Sequence, residues 1–268
     1  MKNKALLVGI NKYPDPRNEL RGCVNDILDM GHFISSTKVA NNQVYSRENI
    51  KKLTNKEATK KGIVQQIRWL LEGAEPGDQL LFHYSGHGAQ IPTLHSTMEE
   101  DGLDEIICPY DYDGTAATTL RDKEFAQLFA NIPKGVHFVW ISDSCHAEDL
   151  SREVKQEETT IYRQFHGVMP IVQDKIIEIP AVDNAAIKAP LNGALLSACA
   201  SHELSADAYI NNRFNGAFTH YLIKNLMQYS DSKTMQAIIK LVNIDLDKNG
   251  YDQNPESEGL LENKTFFI

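Results

Sequence analysis

Apolar and polar positions follow two rhythms along this chain. Four short runs, Ala5–Ile10, Gln79–Tyr84, Val136–Ile141 and Gly193–Cys199, are rich in leucine, β-branched and aromatic residues and end in polar turn formers. Mostly apolar runs of that length predict strands buried on both faces of a parallel sheet. Between them, Val24, Ile27, Leu28 and Phe33 repeat at helical spacing, as do the segments Ala58–Leu71, Asp122–Ala130, Ala217–Met227 and Thr234–Leu246. Gly73 and Pro76-Gly77 stop the second helix. Weaker strand signals lie at Gln43–Tyr45, Ile106–Pro109 and Ile171–Ile179, and Thr265–Ile268 reads as a last edge strand. Crossovers of this length join parallel neighbours. The pattern therefore predicts an α/β fold, a six-stranded, mostly parallel sheet flanked by helices on both faces.

The candidate chemistry stands where two of these strands end. The run Val136–Ile141 breaks into Ser142-Asp143-Ser144-Cys145, and Gln79–Tyr84 breaks into Ser85-Gly86-His87-Gly88. In open α/β sheets the crevice past the carboxyl ends of the strands is where ligands bind. A thiol attacks as its thiolate, and an imidazole within reach can take the proton and later return it to a leaving amine. A strand-helix crossover joins the two strands, which makes them neighbours and Cys145 and His87 a candidate pair. His83 lies inside its strand, and His146 is adjacent in sequence to the thiol, so a cross-strand partner suits the geometry better than either. Cys108 and Cys199 read as core residues, the usual fate of a lone cysteine.

Composition adds boundaries rather than chemistry. With 42% hydrophobic and 24% charged residues the 268-residue chain has the make-up of a globular protein. Its formal charge of −9 disfavours nucleic acid as a partner and suits a basic one. No run is long and apolar enough for a membrane span, and the start is too short for a signal peptide, so a cytoplasmic location without membrane contact is expected. Four scattered cysteines fit neither a zinc site nor a disulfide framework. Gly9 is followed by Ile10-Asn11-Lys12-Tyr13, not by a glycine-rich phosphate loop, which argues against a nucleotide-binding domain. The long stretch Glu148–Ala189 holds no persistent helical period, and connections of that length are usually functional.

Several blocks in order carry a resemblance: Leu6-Leu7-Val8-Gly9-Ile10-Asn11-Lys12-Tyr13, Leu20–Asp26, His83–Gln90, the acidic Glu99–Glu105, Asp143-Ser144-Cys145-His146, Leu195–Cys199 and Gly216–Thr219. Together they resemble the metacaspases and orthocaspases of the caspase-like cysteine peptidases, in which the histidine precedes the cysteine by roughly 50 residues in the caspase relatives. The resemblance implies one caspase-like peptidase domain over 1–268, with a catalytic part at 1–147, a processing loop at 148–192 and a small-subunit-like part at 193–268. It makes Cys145 the nucleophile, His87 the general base and the amides of Gly88 and Cys145 the oxyanion hole. Cys23, Asp26, Ser85 and Asp143 match the specificity pocket, and two carboxylates facing one cavity favour a guanidinium or ammonium group. The implied substrates are proteins or peptides with Arg or Lys before the scissile bond, and the implied state is a monomer. Self-cleavage is expected after the nucleophile, with Arg152, Lys155, Arg163, Lys175 and Lys188 as unranked candidates.

The chain departs from the family pattern in two places. Ala147-Glu148 follow the Cys-His pair where Ser-Gly is common, and Arg121-Asp122 replaces an Asp-Asp pair of the calcium site. Asp101, Asp104 and Asp122 remain candidate oxygen ligands for Ca²⁺ as an activator, while no cofactor is required by the chemistry itself. Asp245–Glu256 also matches an EF-hand loop pattern, but Asp252 stands where an apolar residue is needed, and Pro255 disfavours an exit helix. The alternative to a peptidase is a catalytically silent caspase-like interaction module. The presence of Cys145, His87, Gly88 and both pocket aspartates speaks against it.

Overall fold

A computed structural model describes residues 2–92, 103–115, 117–145, 160–165, 190–200 and 203–268. In chain order it contains β1 (Lys4–Gly9), α1 (Cys23–Ser36), a small hairpin of β2 (Lys38–Val39) and β3 (Asn42–Gln43), β4 (Ile50–Thr54), α2 (Lys60–Leu71) and β5 (Gln79–Ser85). There follow β6 (Gly88–Pro92), β7 (Leu103–Ile107), β8 (Leu120–Arg121), α3 (Asp122–Phe129), β9 (His137–Asp143) and β10 (Thr160–Tyr162). The remainder supplies β11 (Ala194–Ser197), β12 (Ala206–Ile210), β13 (Arg213–Gly216), α4 (Ala217–Tyr229), α5 (Met235–Lys248) and β14 (Glu256–Glu258).

Six strands form the central sheet in the order β14-β11-β9-β5-β1-β4. Every pairing is parallel except that of β14 with β11. Side chains alternate across a strand, so each central strand feeds two cores. Leu7, Leu81, Val139 and Ile141 point to one face and pack with Ile27 and Met30 of α1, Phe218 and Leu222 of α4 and Ile238 of α5. Leu6, Val8, Phe82 and Phe138 point to the other and meet Ile63 and Ile67 of α2 and Phe125 and Phe129 of α3. Each such buried side chain contributes roughly 1.5–3 kcal/mol, which fixes the sheet and hence the rim where β5 and β9 end.

Two strand expectations are corrected. The strand after α1 is Ile50–Thr54, not Gln43–Tyr45, which yields only part of a two-residue hairpin. Lys51 and Lys52 interrupt its apolar pattern because β4 is a sheet edge, where lysine is tolerated. Thr265–Ile268 is not the other edge: that place belongs to β14, which pairs antiparallel with β11. Phe266 and Phe267 are drawn into the core instead, and Thr265 makes a single bridge to Thr234. The strand-like stretch Ile171–Ile179 lies outside the described residues. The EF-hand pattern forms no loop: Asp245 sits in α5, bonded to Lys224 and Asn225, and Glu256 lies in β14. Among the described residues no helix is long and apolar enough to cross a membrane.

Candidate active site

Strands β5 and β9 are parallel neighbours whose last paired positions are Ser85 and Asp143. His87 and Cys145 each follow two residues later, so both emerge at the same end of adjacent strands. The turn is tight, for Gly86 N–H donates to the Asp143 carbonyl at 3.2 Å. A Cβ on Gly88 would stand 2.1 Å from the Cys145 carbonyl oxygen, so only glycine lets the two backbones approach this closely.

The histidine is held from several sides. Its backbone N–H donates to the Tyr13 hydroxyl at 3.0 Å, its carbonyl accepts from Cys108 N–H at 2.9 Å, and the Tyr84 hydroxyl lies 2.7 Å from that carbonyl. In the ring, Nε2 lies 2.9 Å from the Asn18 carbonyl, a contact only an N–H can make favourably. That bond selects the tautomer with the proton on Nε2 and makes Nδ1 the basic nitrogen.

The cleft beside these residues is filled by the chain's own segment 160–165. Thr160–Tyr162 adds to β12 as an antiparallel strand, Ile161 opposite Asp207. Arg163 continues the run: its N–H donates to the Ser205 carbonyl at 3.0 Å, and its carbonyl accepts from Gly88 N–H at 3.3 Å. Its side chain is 0% exposed. Nη1 donates to the Ser85 hydroxyl and the Asp143 carbonyl, both at 2.8 Å, and lies 2.9 Å from Asp143 Oδ1. Nη2 donates to Asp26 Oδ2 at 2.7 Å and stands 3.6 Å from Asp207 Oδ1. A Cβ on Gly216 would fall 2.3 Å from Asp143 Oδ2 and 2.5 Å from Arg163 Nη2, so that glycine keeps the pocket open.

Burial pulls the Arg163 guanidinium towards neutrality, but the surrounding carboxylates of Asp143, Asp26 and Asp207 hold it charged, well above its ordinary range. Burial raises Asp143 and Asp207, and the Arg163 charge works against that rise. Burial likewise pushes the Cys145 thiol up to about 12, partly offset by N–H groups of Ser205 and Arg163. Ser205 N–H donates to Sγ at 2.9 Å, and Sγ donates to the Ser205 carbonyl at 3.5 Å. The thiol is 0% exposed. Beneath the pocket His83 is buried against Thr219, and desolvation lowers it to about 4.

Asp143 has a second task. Its Oδ2 accepts from the Thr219 hydroxyl at 2.6 Å and from Thr219 N–H at 3.2 Å, satisfying a donor in the first turn of α4. Asp26 similarly accepts from Gly216 N–H at 2.9 Å and Asn215 Nδ2 at 3.1 Å. Each therefore ties the pocket to the helix or hairpin beside it while facing the guanidinium.

The structure brings together Cys23, Asp26, Ser85, His87, Gly88, Asp143, Cys145 and one self-cleavage candidate, Arg163. Arg152, Lys155, Lys175 and Lys188 lie outside the described residues, as does Asp101. Asp104 is elsewhere, paired with Arg121 at 2.7 Å and with Lys123, and Asp122 opens α3. Sequence reasoning missed Asp207, Ser205 and the histidine's support from Tyr13 and Asn18. Asp207 sits in a short hairpin with no motif around it, whereas Tyr13 closed the first block of the resemblance.

The architecture is a caspase-like α/β fold. It superimposes on the crystal structure of protein GSU0716 from Geobacter sulfurreducens with a TM-score of 0.70, covering 100% of this chain and 99% of that one at 23% identity. Residues 3–154 match the metacaspase, peptidase C14 domain family. The chain is 32% identical over 95% of its length to metacaspase-1 of Meyerozyma guilliermondii, of which the match covers 68%. It is 40% identical over 153 residues to metacaspase-1A of Aspergillus niger and 41% over 151 to that of Aspergillus oryzae, spanning about a third of each, 36% and 34%. The chain belongs to the metacaspases, a family of caspase-like cysteine peptidases.

Proposed function

We propose that this chain is an endopeptidase that cuts after arginine, and less readily after lysine, and that its first substrate is its own Arg163–Gln164 bond. The carrying observation is the pose of Arg163, with its guanidinium among three carboxylates and its carbonyl on the Gly88 amide. In this reading His87 Nδ1 takes the thiol proton and Cys145 Sγ bonds to the Arg163 carbonyl carbon. The amides of Gly88 and Cys145 stabilise the oxyanion, a donor worth on the order of 10²–10³ in rate. The C–N bond to Gln164 breaks, its nitrogen takes the proton from imidazolium, and water hydrolyses the thioester.

Arginine is favoured over lysine because two separate nitrogens are used. Nη1 engages Ser85 and Asp143 while Nη2 engages Asp26, a two-ended grip that one ammonium nitrogen cannot reproduce. Asp104 already has two protein cations for partners, which supports turnover without added Ca²⁺.

Purified protein should release fragments ending at Arg163 and beginning at Gln164, identified by mass spectrometry, while Cys145→Ala stays intact. The processed enzyme should hydrolyse Arg reporters, Lys reporters more slowly and Asp reporters not at all, with or without a calcium chelator. Asp143→Asn should lower turnover of the Arg reporter about 100-fold, the scale for stranding one partner of a buried ion pair. Preference for Asp reporters would refute the pocket assignment, and no turnover by any form would favour the silent interaction module.

A further inference from the structure

We infer that the enzyme has a second specificity site, on the leaving-group side, that selects an aromatic residue two positions after the scissile bond. The inference rests on the reading of Arg163 as the residue before that bond. The observation behind it is independent of the acidic pocket and concerns Phe165.

Past Arg163 the segment keeps its register on the protein, for Gln164 bridges in parallel to Gly88. The next side chain, Phe165, enters a recess walled by three rings. Its centroid lies 4.9 Å from Tyr112 at 80°, 5.9 Å from Tyr13 at 78° and 5.7 Å from His87 at 87°. All three are edge-to-face contacts, the arrangement in which the positive edge of one ring meets the negative face of another. An aliphatic side chain gains the apolar contact but not that directionality, and a serine or glycine gains neither.

The recess is built, not gathered around the phenylalanine. Tyr13 and Tyr112 are buried, 7% and 6% exposed. The Tyr13 hydroxyl donates to the Cys108 carbonyl at 3.3 Å and accepts from His87 N–H at 3.0 Å. Tyr112 is fixed by a turn in which its N–H donates to the Pro109 carbonyl at 3.0 Å, and Tyr110 N–H anchors that loop to the Ala58 carbonyl at 2.9 Å. The three rings come from the loops after β1, β5 and β7, on the same rim as the nucleophile. One wall is the proposed general base, so a bound aromatic ring also restrains the imidazole plane during acylation.

Because the occupant leaves with the first product, the preference belongs to acylation, and reporters that end in a dye directly after arginine do not sense it. The test uses internally quenched peptides differing at one position, Thr-Ile-Tyr-Arg-Gln-Phe-Gly against the same peptide with Leu or Ser in place of Phe, cut by the self-processed enzyme. Initial rates give kcat/KM, expected to fall from Phe to Leu to Ser, with Phe about tenfold above Ser, the order set by aromatic pairing added to apolar burial. Tyr112→Ala should shrink the Phe-to-Ser ratio to near unity, and Tyr112→Phe should keep it. Since the ratio compares two substrates on one preparation, partial misfolding of a variant cancels. Equal rates for the wild type on all three peptides, each cut after arginine, would overturn the aromatic site alone. Cutting of none of them would overturn the arginine-directed reading and this inference with it.

Discussion

At the scale of single residues, the thiol is the group most altered by its surroundings. Cys145 is kept neutral because its burial removes the water its thiolate would need. With the thiol pushed up to about 12, the reactive anion is about 10⁻⁴ of the total at pH 8, against roughly a quarter for a free cysteine. Alkylation by iodoacetamide, followed at Cys145 by peptide mapping, should be about a thousandfold slower in wild-type chain still uncut at Arg163 than for free cysteine, rising about tenfold per pH unit between 8 and 10. The sign follows from the acid: raising pH makes thiolate, and burial delays that rise to higher pH. Arg163→Gln deletes the charge that pins the segment to Asp26 and Asp143, and its Cys145 should alkylate much faster. Equal rates in the two chains would mean that the segment does not shield the thiol.

At the scale of elements, the segment binds as a strand. β10 supplies few buried side chains, for Thr160, Ile161 and Tyr162 are only half-buried, and its hold comes from the ladder to β12. Peptides that add a strand to a sheet edge draw affinity from main-chain bonds and selectivity from side-chain pockets. On the β12 side, the Arg163 N–H bond to the Ser205 carbonyl is the last main-chain contact before the proposed scissile bond. A reporter peptide methylated on that arginine nitrogen keeps the guanidinium but loses the donor and crowds the carbonyl. Its kcat/KM should be at least about tenfold lower than that of the parent, given the cost of stranding the Ser205 acceptor. Undiminished turnover would show that substrates do not lie along β12.

At the scale of the molecule, the proposed cut falls outside the central sheet. β9 and β11 come from opposite sides of the 163–164 bond, yet they pair in parallel, and their Val139, Ile141 and Leu196 share one apolar cluster. Cutting between them removes no strand from the six. The nicked protein should therefore run as two fragments in denaturing gels but elute from gel filtration as one particle of unchanged size. Separation of the fragments in native buffer would show that the covalent link, not the shared core, holds the halves together.

The sequence by itself determined the central strands and the polar residues that end them. Apolar runs at Gln79–Tyr84 and Val136–Ile141 announce themselves because both faces of a central strand are buried, and the polar residues that break them mark the rim. The edges were harder to read: β4 carries lysines and β14 glutamates, since an edge strand has a solvated side that erases the apolar run. The five basic residues between Cys145 and β11 are equivalent on paper, because a cleavage site is chosen by its fit to a pocket and no local pattern encodes that fit. Asp207 and Tyr112 were silent for the same reason, being single polar or aromatic residues in loops and hairpins. Only the tertiary structure, by laying residues 160–165 along β12 and across the ends of β5 and β9, decided that Arg163 meets Asp26, Asp143 and Asp207 and that Phe165 meets the rings beyond. Strands form from neighbours in sequence, whereas a pocket forms where distant segments converge, and that convergence is written in no single stretch of the chain.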